Sequence, residues 1–358
     1  MFDIISTSGA ARRGRIHTPH GIIDTPAFMP VGTVGSVKAI DATDLLACGA
    51  NVMLSNTYHL LLRPGPEMLA RRGGLHRFIR SDLPILTDSG GFQVMSLSEF
   101  RTVTDAGVEF RSHLDGGKVW LSPEEALRVQ GLIGSDIQMV LDVCPPHDAT
   151  AADARRATEL SHAWAERSVS APRPDGVLRF GIAQGGMDAE LRAESTRFIG
   201  GLAFDGLAIG GLSVGEPEET MFAMLDATMP HAPVAKPRYL MGVGKPSQIV
   251  HAVSLGVDLF DCVLPTRVAR HGTLWARKEI VRINRAEFTE DEAPVDAECS
   301  CLACARYSRA YLRHLYRVED PLYYRLASLH NLTHILDLMK RIRRAIEEDR
   351  WGELSREF

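Results

Sequence analysis

Eight short apolar segments, each ending at a polar residue or at glycine, constrain the fold of this chain more than any other feature. Apolar runs of this length are typical of strands that are buried on both faces of a parallel sheet. Helical patterns lie between most of them; after Leu121, for example, Ser122 predicts an N-cap and Pro123 the first helical turn. Eight alternating strand and helix units predict an α/β fold, a (β/α)8 barrel of the TIM type. The segments are residues 27–31, 51–55, 84–88, 138–142, 179–184, 206–211, 238–244 and 257–261.

Smaller elements flank the predicted barrel, which we place at residues 26–285. Residues 1–25 predict an N-terminal hairpin. Residues 286–358 contain a cysteine cluster followed by helical patterns, and predict an inserted zinc-binding subdomain with C-terminal helices. The N-terminus lacks the pattern of a secretory signal, and no run reaches the ~18 apolar residues of a membrane span. We therefore expect a cytoplasmic protein.

Polar residues collect where the predicted strands end, which in such barrels is where the working residues stand. Burying one ionised carboxylate costs several kcal/mol unless it is paired, so a single buried aspartate is more often a satisfied structural residue. Three at equivalent strand ends favour a reactive site instead. The residues at these ends are Asp88, Asp142, Gln184, Gly210, Gly211, Gly242, Gly244 and Asp261.

A cluster of cysteines with the spacing C-x-C-x-x-C predicts a structural zinc site in a reducing compartment, because three thiolates from one loop need only one further ligand. His330 and His334 lie one helical turn apart, and either could supply that ligand; His314 is a weaker candidate. The cluster consists of Cys299, Cys301 and Cys304.

Positive charge is concentrated in one segment although the formal net charge of the chain is -5. Six basic residues against the single acid Glu279 lie between Arg267 and Arg285. The segment is either a solvated charged face or the place where an anionic polymer docks beside Asp261.

Several long motifs resemble those of the queuine tRNA-ribosyltransferase family, the tRNA-guanine transglycosylases, in their bacterial form. The resemblance runs from about residue 10 to the C-terminus. It implies a homodimer that exchanges the guanine at wobble position 34 of tRNAs with GUN anticodons (those for Asp, Asn, His and Tyr) for a 7-deazaguanine, without ATP or a redox cofactor. The motifs are LTDSGGFQVMSL (86–97), SHLDGG (112–117), GIAQGG (181–186), AIGGLSVGE (208–216), YLMGVGKP (239–246), DLFDCVLPTR (258–267) and SLHN (328–331).

The resemblance also implies roles for individual residues. Asp261 would attack C1′ of the ribose to form a covalent ribosyl enzyme, and Asp88 would protonate the departing guanine, as in a retaining glycosidase with carboxyls ~5 Å apart. His330 would be the fourth ligand of one structural zinc ion. Lys245, Arg267 and Arg270 would bind RNA. The implied substrate-binding residues are Ser89, Phe92, Gln93, Asp142, Cys144, Gln184, Gly211, Leu212 and Met241.

Two positions bear on which base enters. Bacterial members tend to carry Cys and Val where eukaryotic members carry Val and Gly, and this chain has Cys144 and Val214, which favours the small base preQ1 over queuine. Val143 departs from the pattern, since many bacterial members have Glu there, and Ser213 lies in the segment expected to contact the aminomethyl amine.

Two other function classes fit parts of the sequence. A barrel hydrolase acting on a small glycoside or nucleoside would use the carboxylates but not the basic segment between Arg267 and Arg285. A non-catalytic tRNA-binding subunit would use the basic segment, but would not need both Asp88 and Asp261. The transglycosylase uses all of these features.

Overall fold

The computed structural model of the protein describes residues 2–97 and 101–358. The strands within these residues are short, and most of those in the centre of the chain are completely buried. They are β1 (Phe2–Ser8), β2 (Ala11–Thr18), β3 (Gly21–Thr25), β4 (Ala27–Met29), β5 (Met53–Ser55), β6 (Ile85–Thr87), β7 (Arg101–Thr104), β8 (Gly107–Arg111), β9 (Lys118–Leu121), β10 (Ile137–Met139), β11 (Leu178–Ala183), β12 (Gly206–Ile209), β13 (Arg238–Leu240), β14 (Leu259–Asp261), β15 (Thr273–Trp275) and β16 (Ile280–Arg282).

Helices alternate with the buried strands, and several begin with a side-chain cap, such as Ser122, which accepts from the backbone N–H of Glu125 at 3.1 Å. The helices are α1 (Ala42–Ala47), α2 (Thr57–Leu62), α3 (Pro66–Arg71), α4 (Gly74–Ile79), α5 (Gly91–Leu97), α6 (Pro123–Ile133), α7 (Ala151–Ser170), α8 (Ala189–Gly201), α9 (Glu218–Thr228), α10 (Pro246–Ser254), α11 (Leu264–Arg270), α12 (Leu302–Arg306), α13 (Arg309–Arg317), α14 (Pro321–Glu347) and α15 (Trp351–Leu354).

Eight parallel strands form the barrel that the sequence predicts. They pair in the order β4, β14, β13, β12, β11, β10, β6 and β5. The remaining seam between β4 and β5 is bridged by Val31 and Leu54, and the backbone N–H of Gly32 donates to the carbonyl of Leu54 at 2.7 Å. Most strands end earlier than predicted, so Asp88 and Asp142 lie in the loops just beyond β6 and β10.

Antiparallel strands decorate this barrel. The N-terminal segment forms a three-stranded sheet of β1, β2 and β3, one strand more than the predicted hairpin. The additional strand forms because the chain turns again at Thr18, whose hydroxyl donates to the carbonyl of Gly21 at 2.8 Å. A second three-stranded sheet, β7 to β9, precedes α6, and β15 and β16 form a hairpin after α11.

The long helix α14 belongs to two hydrophobic cores. Near its start, Tyr323 and Leu326 pack in a small core with residues of the cysteine-containing region. Further along, Leu332, Ile335 and Met339 pack in the barrel core. The domain boundaries at residues 25 and 285 stay a prediction.

Three aspartates directly precede the barrel strands β10, β12 and β14, and each bonds to the strand before. Asp136, just before β10, accepts from the backbone N–H of Ile85 at 2.8 Å. Asp205, before β12, accepts from the N–H of Arg179 at 2.8 Å, and Asp258, before β14, accepts from the N–H of Arg238 at 2.7 Å. These carboxylates tie neighbouring strands together at the end of the barrel opposite to Asp88 and Asp261.

None of the helices within residues 2–97 and 101–358 combines the length and apolar character needed to cross a membrane.

Candidate active site

A cavity of about 700 Å³ opens at the carboxyl ends of the barrel strands. Asp88, Asp142 and Asp261 all line it, so the structure brings the three aspartates of the strand-end pattern together. Every predicted substrate-binding residue also lines it, namely Ser89, Phe92, Gln93, Asp142, Cys144, Gln184, Gly211, Leu212 and Met241.

Asp261 is the last residue of β14, and only one of its carboxylate oxygens is hydrogen-bonded. Oδ1 accepts from the hydroxyl of Tyr239 at 2.6 Å and from the backbone N–H of Gly242 at 2.8 Å. Oδ2 has no hydrogen-bond partner within the described residues. Burial raises the pKa of Asp261, and the two donors offset part of that rise. The side chain is held in one orientation with a free oxygen available to react.

Asp88 is fixed by the start of α2. Asn56, the N-cap of that helix, donates from Nδ2 to Oδ2 of Asp88, and the backbone N–H of Thr57 donates to Oδ1 at 2.9 Å. The N–H of Gly90 also donates to Oδ1, at 3.2 Å. Burial raises the pKa of Asp88 to about 7, and the negative charge of Asp261 adds to that rise against these donors. Asp88 can therefore give and take a proton near neutral pH.

Asp142 and Gln184 form a hydrogen-bonded pair on the cavity wall. Gln184 Nε2 donates to Oδ2 of Asp142 at 2.6 Å, and Ser89 Oγ donates to Oδ1 at 3.4 Å. Burial raises the pKa of Asp142 to about 6. The amide oxygen Oε1 of Gln184 is buried next to Gly211 without a partner in the described chain, so this pair has unused hydrogen-bonding capacity.

Two glycines after β12 let the backbone approach Gln184. A Cβ atom on Gly210 would lie 2.6 Å from Gln184 Nε2, and one on Gly211 would lie 2.3 Å from Oε1. Gly211 also has a φ of +68°, which other residues rarely adopt. Any side chain at these positions would displace the amide of Gln184.

The loop after Gly211 is held by an acid that we did not predict. Glu216 accepts from the backbone N–H groups of Ser213 and Val214, the latter at 2.9 Å, and it lines the cavity together with both. Val143, by contrast, packs in a hydrophobic cluster, and its N–H donates to Ser161 Oγ at 2.9 Å. Glu216 therefore adds an acidic group to the cavity besides the three aspartates, whereas residue 143 does not.

Phe92 and Met241, two of the predicted substrate-binding residues, differ in their surroundings. Phe92 is 49% exposed, and it lines the cavity without a ring partner in the described residues. Met241 is half-buried and packs against the barrel core. Both side chains line the same cavity.

Two of the three predicted RNA-binding residues line the cavity, and the third does not. Lys245 and the exposed Arg267 line the cavity, and Lys245 forms an ion pair with Glu218 at 3.2 Å. Arg270 is half-buried and is not among the lining residues; its Nη1 is buried with no hydrogen-bond partner in the described chain.

Three thiols from the segment after the β15–β16 hairpin surround one nitrogen of His330 on α14. The sulfur atoms of Cys299, Cys301 and Cys304 lie 3.7, 3.5 and 3.2 Å from His330 Nδ1. Two ligands of a tetrahedral zinc ion, one sulfur and one nitrogen, lie about 3.6 Å apart. Nε2 of His330 is 2.8 Å from the carbonyl of Trp275, which directs Nδ1 toward the sulfurs. The donor set fits a metal ion, and neither His334 nor His314 belongs to it.

A second group of metal-binding residue types, His20, His76 and Asp136, has a different geometry. The two rings stack with centroids 3.5 Å apart and planes 11° from parallel. Since the nitrogen lone pairs lie in these nearly parallel planes, they cannot point at one ion. Asp136 accepts from both rings, at 2.7 and 3.0 Å, and from two backbone N–H groups. This group is a hydrogen-bonded connection between the N-terminal sheet and the barrel.

The sequence interpretation missed the residues that support the aspartates and the glycine loop of the cavity. Tyr239, which holds Asp261, lies within a quoted motif and on a predicted strand, so its position gave a signal that we did not use. Asn56 bonds to Asp88 from 32 residues away, and Arg192 donates to Gly210 and Gly211 from a helix. Local sequence patterns carry no information about such contacts.

Comparison with known proteins gives a consistent result. The family model for queuine tRNA-ribosyltransferase matches residues 6–358. The chain is 53% identical to a queuine tRNA-ribosyltransferase of Nitratidesulfovibrio vulgaris over 359 residues, which cover 100% of this chain and 96% of that protein. It is 50% identical to one of Listeria welshimeri over 360 residues, covering 100% and 95%. A relative from Thiobacillus denitrificans is 50% identical over 357 residues, covering 100% and 97%. The chain belongs to the queuine tRNA-ribosyltransferase family.

Proposed function

We propose that this chain is a tRNA-guanine transglycosylase that exchanges the guanine at position 34 of GUN-anticodon tRNAs for preQ1. The observation that carries the proposal is the pairing of Asp261, which has one unbonded oxygen, with Asp88, whose pKa is raised to about 7, in one cavity. This combination supplies a nucleophile and a proton donor at neutral pH. Family membership supports the same reaction class.

In the first half-reaction, the free Oδ2 of Asp261 attacks C1′ of the ribose. The bond between C1′ and guanine breaks as an ester bond to Asp261 forms, and Asp88 gives its proton to the departing base. The hydrogen bonds from Tyr239 and Gly242 to Oδ1 keep the other oxygen directed at the sugar. Acid catalysis by Asp88 is effective because its pKa is close to neutral.

In the second half-reaction, the incoming base attacks C1′ from the side that guanine left. Its proton passes to the carboxylate of Asp88, and the ester bond to Asp261 breaks. Two displacements at C1′ retain the configuration of the sugar. Asp88 returns to its protonated state and no cofactor is consumed.

Asp142 and Gln184 are suited to read the edge of a guanine-like base. A carboxylate accepts from the two adjacent N–H donors of such an edge, while the amide of Gln184 and the backbone N–H of Gly211 or Leu212 donate to its carbonyl. Gln184 Nε2 is engaged by Asp142 at 2.6 Å, so base binding would exchange this internal bond for bonds to the ligand.

The choice of preQ1 rests on Cys144 and Val214, which both line the cavity. Val214 occupies space that the cyclopentenediol of queuine would need, and Glu216 adds a negative charge near the site of an aminomethyl ammonium. Entry of queuine is the alternative.

Docking of tRNA is assigned to the basic surface beside the cavity. Arg267 is exposed and lines the cavity, and Lys278 and Arg282 on the β15 and β16 hairpin are exposed as well. The metal cluster would hold one structural zinc ion that anchors this hairpin, since His330 bonds to Trp275 of β15. We assign a homodimer by family resemblance alone.

Incubation of the protein with a GUN tRNA and preQ1, followed by mass analysis of the nucleoside at position 34, tests the proposal. The expected result is a mass change at this position that requires no ATP. An unchanged nucleoside 34 overturns the proposal. A small-glycoside hydrolase would instead release base without incorporation, and its substrate affinity would not fall with salt as that of a tRNA-binding enzyme does.

A further inference from the structure

One buried arginine joins the loops that follow two adjacent barrel strands. Arg192 lies on α8, and within residues 2–97 and 101–358 its guanidinium donates only to carbonyl oxygens. Nε bonds to Gly186 at 2.9 Å, Nη1 to Gly210 at 2.8 Å and Nη2 to Gly211 at 3.0 Å. Gly186 follows β11, and the other two glycines follow β12. A single side chain therefore sets the distance between the loop after Gln184 and the loop that contains Gly211.

Pairs of glycines make this close approach possible. A Cβ atom on Gly185 would lie 2.8 Å from both Cγ and the backbone nitrogen of Arg192. Gly186 and Gly211 have φ values of +56° and +68°. A side chain at Gly185 would thus collide with Arg192, and a Cβ atom on Gly211 would lie 3.2 Å from Nη2 of its guanidinium.

The guanidinium has no carboxylate partner among the hydrogen bonds of the described chain, although it is completely buried. Burial lowers the pKa of Arg192 to about 10, so the group is still a cation at neutral pH. A buried cation without an acid costs folding free energy. What it supplies in return is the fixed orientation of three backbone carbonyls beside the cavity.

The same face of α8 also holds Gln184 directly. Ser195, one turn after Arg192, accepts from the backbone N–H of Gln184 at 3.1 Å. The two residues together fix both elements assigned to the base edge, since Arg192 orients the peptide of Gly211 and Ser195 orients Gln184.

We propose that Arg192 and Ser195 are positioning residues that set the affinity of the enzyme for the free base. They hold Gln184 and Gly211 at the separation that a guanine-like edge requires, without touching the base themselves. This inference rests on the proposed role of Gln184 and Gly211 in base reading.

The test compares Arg192→Lys with Arg179→Lys in the exchange of labelled guanine into tRNA. Arg179 is a matched control because it is also buried and also donates to backbone carbonyls, those of Ser168 at 2.6 Å, Pro172 at 2.9 Å and Ala171 at 3.0 Å. It lies at the start of β11, at the other end of the barrel. Both substitutions remove several hydrogen bonds from a guanidinium to backbone carbonyls, but only those of Arg192 support the loops beside the cavity.

Arg192→Lys should raise the KM for guanine by about tenfold or more, because lysine cannot hold three carbonyls at once. The KM for tRNA should change less, since tRNA also binds through its phosphates, and kcat should stay within about threefold. Arg179→Lys should lower the melting temperature without changing the KM for guanine. Equal effects of both variants on that KM, or no effect of either, overturn the inference.

Ser195→Ala provides a second test if Arg192→Lys does not fold. It removes the acceptor of the Gln184 N–H and also the partner of His162, whose Nε2 lies 2.9 Å from Ser195 Oγ. A raised KM for guanine is expected; an unchanged KM contradicts the inference. If the wild-type protein itself does not exchange guanine, the proposed function fails and this inference fails with it. If the wild type exchanges guanine but the variants have the same KM for guanine as the wild type, only this inference fails and the proposed function stands.

Discussion

Asp88 has both carboxylate oxygens hydrogen-bonded, whereas Asp261 has one oxygen bonded and one without a partner in the described chain. The difference matches the two roles that the proposed reaction needs. A proton carrier must stay in place through two transfers, and a nucleophile must have a lone pair free to form a bond.

Asp261→Asn should abolish guanine exchange while tRNA binding persists, because the amide retains the shape of the carboxylate but not its nucleophilic charge. The measurement is a denaturing gel of protein incubated with labelled tRNA, on which the wild type gives a shifted covalent band. A shifted band from Asp261→Asn would assign the nucleophile to another residue. Filter binding of both proteins to tRNA is the control.

Guanine release should slow as the pH rises above about 7, because Asp88 must be protonated to assist departure of the base and its pKa is raised to about 7. Above that pKa the rate of the first half-reaction should fall about tenfold per pH unit. Rapid-quench measurement of guanine release from tRNA, in the absence of free base, gives this profile. A rate that is constant from pH 6 to 9, which brackets that pKa, would move the acid role away from Asp88.

Tyr239→Phe should lower kcat by roughly ten- to a hundredfold, because Oδ1 of Asp261 loses a donor at 2.6 Å and the free oxygen is no longer held toward the sugar. Tyr323→Phe is the matched control, since Tyr323 is also fully buried and donates its hydroxyl to the carbonyl of Ala269 at 2.9 Å. Similar losses of activity in both variants would indicate a general effect on folding. The measurement is steady-state exchange at saturating tRNA.

Loss of His330 should release one metal ion per chain, whereas loss of His334 should not. The sulfurs of the three cysteines surround His330 Nδ1, while His334 lies edge-on to Trp275 with ring centroids 6.2 Å apart. Metal analysis of purified His330→Ala and His334→Ala checks this, and the metal-free variant should melt at a lower temperature because structural metal binding contributes to folding. Full zinc content in His330→Ala contradicts the ligand assignment.

Val214→Gly should narrow the proposed preference for preQ1 over queuine, because it removes a side chain that lines the cavity. Competition of the two bases for one tRNA gives the ratio of incorporation rates. Guanine exchange is an internal control, since guanine carries no substituent and its rate should stay within about threefold. Faster incorporation of queuine than of preQ1 by the wild type would contradict the assigned substrate.

The barrel and the three aspartates of its cavity could be predicted because both follow from local patterns. Unbroken apolar runs identify buried strands, and Asp88, Asp142 and Asp261 come at the points where those runs stop. The roles of Asn56 and Tyr239 could not be predicted in this way, because each acts on an aspartate that is distant in sequence. Their contacts exist only once the strands have been arranged in a ring.

The aspartates at the opposite end of the barrel show what separates a support from a reagent. Asp136 is as buried as the residues of the cavity, yet it receives four hydrogen bonds, and Asp258 receives bonds from Arg12 and from the backbone of Arg238. Asp136, with four such bonds, has no lone pair left to offer a substrate, and the charge of Asp258 is paired with Arg12. Aspartates stabilise the barrel at one end and line the cavity at the other. New chemistry could therefore be engineered into the loops around Asp88 and Asp261 while Asp136 and Asp258 are left unchanged.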